Sequence, residues 1–189
     1  MQRNTATFLP ALSLACVFSL TACDPTNSQP PTPTASVVKL PADLIITTEP
    51  AGAVGVIEAR KSATVGTRVA VIGRIGGSRS PFVSTRAIFT IVDPSLKSCA
   101  ETGEEDHCPR PWDYCCEDKT ALAQAIASIE ISDASGAPLA ISADAGGTLK
   151  PLMLVAVEGV LQSTEGGSFL IRADHVYLVA NDPLASKIK

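Results

Sequence analysis

Four cysteines dominate the chemistry that this sequence offers. Cys99, Cys108, Cys115 and Cys116 follow the spacing C-x8-C-x6-C-C within 18 residues, and His107 precedes the second of them. Thiolates with an imidazole suit a tetrahedral Zn²⁺, and a sulfur-rich ligand set also suits Cu(I). An even number of closely spaced cysteines is equally the pattern of a disulfide framework in an exported protein. The choice between these chemistries depends on the compartment.

The first 23 residues indicate the compartment. Arg3 precedes an apolar stretch over residues 8–20, which is too short to span a ~30 Å hydrocarbon core and is typical of a secretory signal. The following Leu20-Thr21-Ala22-Cys23 resembles the lipobox of bacterial lipoproteins. That resemblance implies cleavage before Cys23, lipidation of Cys23, and anchoring to the periplasmic side of a bacterial membrane. Asp24 resembles an inner-membrane retention signal in some sorting systems.

In an oxidising compartment, we expect the four cysteines to form structural disulfides. A bond between the adjacent Cys115 and Cys116 would close a strained ring, so each is expected to bond with one of Cys99 and Cys108. Such bonds would contribute roughly 2–3 kcal/mol each. No cofactor is then expected. The alternatives are Zn or Cu bound by the reduced cysteines with His107, or thiol-redox chemistry.

Aromatic and basic side chains provide further candidates for binding. Trp112 and Tyr114 lie between the cysteines, where they could form a recognition patch for a protein or glycan, or a small core that packs the loop. Arg68, Arg74 and Arg79 lie on a predicted strand and the glycine-rich loop after it, where they could form an anion site or be the ordinary surface of a barrel with a flexible loop. We predict no catalytic residues, because no G-x-S-x-G or H-E-x-x-H pattern is present.

The net charge disfavours nucleic acid as a partner. One of the 15 Lys and Arg residues and none of the 19 Asp and Glu residues precede Cys23, so the chain from Cys23 onward carries a net charge of −5. Binding to a phosphate backbone depends on Lys and Arg. Oligonucleotide binding on a barrel face is therefore kept only as a second alternative.

Hydrophobic alternation with a period of two predicts strands over residues 67–75, 87–92, 128–132, 152–161 and 168–179, and a short helix over 120–126. Gly73, inside the first strand, predicts a bulge. The strand order and glycine placement over residues 64–179 resemble an OB-fold, and the chain resembles uncharacterised exported bacterial proteins with an OB-like domain. The resemblance implies a mostly β protein, with a small five-stranded antiparallel barrel, one short helix and a cysteine-rich insertion.

These observations predict the organisation of the chain. Residues 1–22 form the signal peptide, 23–43 the lipidated cysteine and proline-rich tether, 44–183 the barrel domain with its insertion at 95–118, and 184–189 the C-terminal tail. The function expected is that of a non-catalytic, lipid-anchored binding or accessory domain of the cell envelope, with a disulfide-stapled recognition loop. Its partners would be the membrane and another envelope protein or a glycan. The alternative is a periplasmic metal-binding or thiol-redox protein that uses the four cysteines.

Overall fold

The computed structural model of the chain describes residues 38–102 and 108–184. The predictions for Cys23, the signal peptide, residues 23–37 of the tether and His107 lie outside these residues. The described elements are seven strands, two α-helices and one 3₁₀ turn. In chain order they are β1 (Ile45–Ile46), β2 (Val54–Gly55), α1 (Val56–Ser62), β3 (Arg68–Ile75), β4 (Ile88–Val92), α2 (Lys119–Ala125), β5 (Ile126–Glu130), β6 (Leu154–Ser163), the 3₁₀ turn (Glu165–Gly167) and β7 (Leu170–Leu178).

Five strands close into a barrel, which confirms the predicted fold class. Strand β3 pairs with both β4 and β6, β4 pairs with β5, and β7 pairs with both β5 and β6. The barrel is mixed and not fully antiparallel, because β5 and β7 run parallel. A ring with an odd number of strands cannot alternate direction at every neighbour, so at least one parallel pair is unavoidable. The two short strands β1 and β2 extend the sheet in parallel beside β7 and β3.

Two short α-helices flank the barrel, where the sequence predicted one. The predicted helix is α2, which begins after Asp118; the Asp118 carboxylate accepts hydrogen bonds from the amides of Thr120 and Ala121 at 3.0 and 2.9 Å. The additional helix α1 has no cap from its own N-cap residue, Gly55. The buried Asp93, which directly follows β4, accepts a hydrogen bond from the Ile57 amide at 2.8 Å. An amide in the first turn of α1 therefore finds its acceptor in a distant part of the chain.

The prediction of a bulge at Gly73 is wrong. The pairing of β3 with β6 continues without a break from Arg68 to Arg74. Gly73 instead allows a close approach inside the barrel, because an added Cβ would lie 3.0 Å from the side chain of Ile91. The irregularities fall on β6, where the register with β7 shifts between Glu158 and Gly159 and again between Leu161 and Ser163.

The barrel encloses the main core, and the cysteine-rich insertion has a small core of its own. Phe89, Ile129 and Val157 are among the fully buried residues of the barrel. A second cluster joins Tyr114 of the insertion with Val92 and Ala125, which lie at the ends of β4 and α2. In the part of the chain that the structure describes, no helix has the length and apolar character needed to cross a bilayer.

Candidate functional site

The insertion brings cysteine sulfurs together at one end of the barrel. The Sγ atom of Cys115 lies 3.3 Å from that of Cys99, 4.0 Å from that of Cys108 and 3.9 Å from that of Cys116. Among the described residues, Cys99, Cys108 and Cys115 form a set whose sulfurs all lie within 4.8 Å of one another and could hold a metal ion. All these separations exceed the ~2.05 Å of a disulfide bond, so the structure shows the cysteines as thiols.

Backbone hydrogen bonds fix the insertion around the sulfurs. The Cys99 amide donates to the Asp113 carbonyl and the Ala100 amide donates to the Pro111 carbonyl, both at 2.9 Å. The Gly77 amide, in the loop after β3, donates to the Trp112 carbonyl at 3.1 Å. These bonds hold the two arms of the insertion side by side and join them to the barrel.

The first arm also makes an ionic contact with the barrel, through Glu101. Glu101 accepts hydrogen bonds from the amide and hydroxyl of the buried Ser98 at 2.9 and 2.8 Å. The same carboxylate oxygen lies 3.9 Å from Nε of Arg74. The guanidinium of Arg74 donates to both carboxylate oxygens of Asp182 at 2.7 and 3.0 Å, and to the Leu152 carbonyl at 2.7 Å.

The prediction that Arg74 contributes to an anion site is therefore wrong. Its side chain is 6% exposed and its guanidinium is already bound to Asp182, so it belongs to a buried ion pair. The sequence missed this pair because its partners are 108 positions apart. Arg68, on the same face of β3, is exposed but forms ion pairs with Glu158 and Asp174 at 3.1 and 3.0 Å. Arg79 remains exposed in the following loop.

The two aromatic residues of the insertion have different roles. Tyr114 is 1% exposed and packs in the small core, so it anchors the insertion and is not a surface for recognition. Its hydroxyl is buried and has no hydrogen-bond partner, and burial, as the largest cause, raises the pKa of Tyr114. Trp112 is half-buried, and its indole Nε1 donates to the Arg79 carbonyl at 3.4 Å. The Trp112 side chain thus lies against the loop that carries the exposed Arg79.

The thiols differ in their ionisation. Burial, followed by hydrogen bonding to Cys115, raises the pKa of Cys99 to about 12. Hydrogen bonds from Cys99, Cys116 and Cys108, in that order, lower the pKa of Cys115, which is exposed. Because the thiolate is the reactive form, Cys115 is the more nucleophilic of these two residues. The site thus places an exposed thiol with a lowered pKa beside a buried thiol with a raised pKa.

Comparison of the chain with protein-family models, curated proteins and solved structures finds no match. The functional argument therefore rests on the geometry of the insertion.

Proposed function

We propose that the protein is a non-catalytic binding or accessory domain of the bacterial cell envelope, anchored to the membrane through a lipid on Cys23. The observation that carries this proposal is the fixed insertion at one end of the barrel, with Trp112 and Arg79 at its surface. A half-exposed Trp beside an Arg is typical of the anchors of a protein interface. The partner would be another envelope protein or a glycan. The carboxylates paired with Arg68 argue against an oligonucleotide on that face.

In this proposal, two disulfides staple the recognition loop in the oxidising envelope. The shortest sulfur separation, 3.3 Å, favours a bond between Cys99 and Cys115, which leaves Cys108 to bond with Cys116. In the chain-entropy model these bonds would contribute roughly 3 and roughly 2.5 kcal/mol, because they close loops of different length.

Maturation and redox state can be tested on the natively exported protein. Mass spectrometry should identify Cys23 as an acylated first residue, and Cys23→Ala should release the protein from membranes. After denaturation without reduction, no free thiol should remain, and peptide mapping should find the Cys99–Cys115 and Cys108–Cys116 bonds. A soluble wild-type product or four titratable thiols would contradict the respective part of the proposal.

The recognition surface can be tested by site-specific photo-crosslinking in intact cells. A photoreactive residue in place of Trp112 should give a discrete adduct with an envelope protein or a glycan. The matched control is the same residue in place of Val65, which is 51% exposed. Equal adducts from both positions would show that the Trp112 surface has no specific partner.

A second candidate function is metal binding by the reduced insertion. The specific observation is the set of three sulfurs, all within 4.8 Å of one another. Thiolate ligands favour either Zn²⁺ or Cu(I). Metal analysis of the exported protein distinguishes this candidate from the disulfide form, because a bound ion requires thiols that become titratable after chelation.

A further inference from the structure

We infer that the reduced insertion forms a three-coordinate thiolate site for Cu(I), with Cys99, Cys108 and Cys115 as its ligands. This inference rests on the second candidate function and specifies its ion and ligands. The three sulfurs come from both arms of the insertion and lie close enough to share one ion. No other cysteine is needed to complete the site.

The sulfur separations suit a trigonal ion. With a metal–sulfur bond of about 2.3 Å, three sulfurs in a plane around one ion lie about 4.0 Å apart. The separations of Cys115 Sγ from Cys99 Sγ and Cys108 Sγ are 3.3 and 4.0 Å, and the third separation is within 4.8 Å. Shifts of the sulfurs by less than about 1 Å would therefore give the trigonal spacing. The backbone hydrogen bonds of Cys99 and Ala100 already hold the two arms at this spacing.

The number of ligands favours Cu(I) over Zn²⁺. Structural Zn²⁺ sites are almost always four-coordinate, whereas soft thiolate ligands select Cu(I). Cys116 lies 3.9 Å from Cys115 but is outside the mutually close set of sulfurs in the described residues. The adjacent positions of Cys115 and Cys116 in the chain make it difficult for both side chains to point at one ion.

The three ligands differ in their exposure to solvent, and this gives an ion a path to the site. Cys115 is exposed, Cys108 is half-buried and Cys99 is 5% exposed. An incoming ion meets Cys115 first and the buried Cys99 last. Binding changes no oxidation state: up to three S–H protons pass to solvent as three Cu–S bonds form, and the ion stays Cu(I) throughout.

The test is an anaerobic titration of the full-length, reduced protein in detergent. Cu(I) is supplied in competition with a chromogenic Cu(I) chelator, and Zn²⁺ is titrated separately against a chromogenic Zn²⁺ chelator. We expect one equivalent of tightly held Cu(I), an X-ray absorption spectrum with three sulfur neighbours, and much weaker binding of Zn²⁺. Cys108→Ser and Cys115→Ser should weaken Cu(I) binding at least 100-fold, since even partners outside the ligand shell contribute about 10–100-fold.

Cys116→Ser is the matched control and should retain Cu(I) affinity within a few-fold, as should His107→Ala. Circular dichroism checks that each variant is folded. Cys108 and Cys115 are substituted, and not Cys99, because Cys99 is buried and its replacement would disturb the packing of the insertion. Equal losses for Cys116→Ser and Cys115→Ser, or tighter binding of Zn²⁺ with four ligands, would overturn the Cu(I) assignment but leave a metal site. Failure of the reduced protein to bind either ion would also remove the second candidate function and leave the disulfide-stapled domain standing.

Discussion

Breaking the ion pair between Arg74 and Asp182 should destabilise the domain far more than breaking an exposed ion pair on the same strand. The two side chains are 6% and 3% exposed, and two hydrogen bonds of 2.7 and 3.0 Å join them. A hydrogen bond to a charged group contributes about 1.5–3 kcal/mol, so the pair of bonds accounts for about 3–6 kcal/mol. This range agrees with the ~3–5 kcal/mol measured when one partner of a buried pair is removed.

A double-mutant cycle measures the effect. Arg74→Met and Asp182→Leu should each lower the free energy of unfolding by about 3–5 kcal/mol, because each leaves a buried charge without its partner. The double variant should lose much less than the sum, since apolar residues then replace both charges. Arg68→Met is the control on the same strand. Its ion pairs are exposed and screened by solvent, so this substitution should lower the free energy of unfolding much less than Arg74→Met does. Urea unfolding with equal m-values is the assay. Additive single effects would refute the assignment of a coupled buried pair.

The same pair predicts a dependence of stability on pH. Burial alone would raise the pKa of Asp182, but hydrogen bonds from Arg74 and the Leu184 amide, with the charge of Arg74, outweigh it and lower the pKa. A carboxyl whose folded pKa lies below its unfolded value contributes stability that is full above an unfolded pKa of ~3.9 and is lost as the pH falls through the folded pKa. The difference in stability between the wild type and Asp182→Leu should therefore shrink below about pH 4. A difference that stays constant to pH 2 would contradict this interpretation.

Two further substitutions test how the insertion and the first helix are held. Tyr114→Phe should leave the free energy of unfolding unchanged or raise it by up to about 1 kcal/mol, because it removes a buried hydroxyl that has no partner. Tyr114→Ala should instead lower the free energy of unfolding by about 3–5 kcal/mol, because it leaves a cavity in the small core. Equal losses in urea unfolding for both variants would imply a hydrogen bond to the hydroxyl. Asp93→Ala should cost about 1–2 kcal/mol and speed amide hydrogen exchange at the start of α1, because the Ile57 amide loses its acceptor; unchanged exchange there would contradict the capping role.

Strand positions could be predicted from the sequence because alternation reports which face of a strand is buried. The predicted strand 67–75 is observed as Arg68–Ile75 and the predicted strand 87–92 as Ile88–Val92. Helix α1 could not be predicted in this way, since it spans only Val56–Ser62 and its cap comes from Asp93, 36 residues away from the amide it satisfies. Local propensity carries no information about such a distant partner.

The same limit applies to the candidate site. Cysteine spacing alone identified the segment, but alternation placed Arg68 and Arg74 together as one basic face. Position along the strand separates the two arginines. The side chain of Arg68 is exposed to solvent, whereas Arg74 is buried against Asp182, which follows the last strand. A pairing across 108 residues is a property of the closed barrel, and the sequence pattern of one strand cannot report it.

The separation of the two cores explains how one segment could exist in different chemical states without refolding the barrel. Tyr114 packs with Val92 and Ala125, whereas the barrel core is a different cluster built around residues such as Phe89. A bond between Cys99 and Cys115 would shorten their sulfur separation from 3.3 Å to ~2.05 Å, and a trigonal ion would lengthen it to about 4.0 Å. We therefore expect the barrel to keep its structure when the cysteines are oxidised or bind a metal, because its buried residues form a separate cluster.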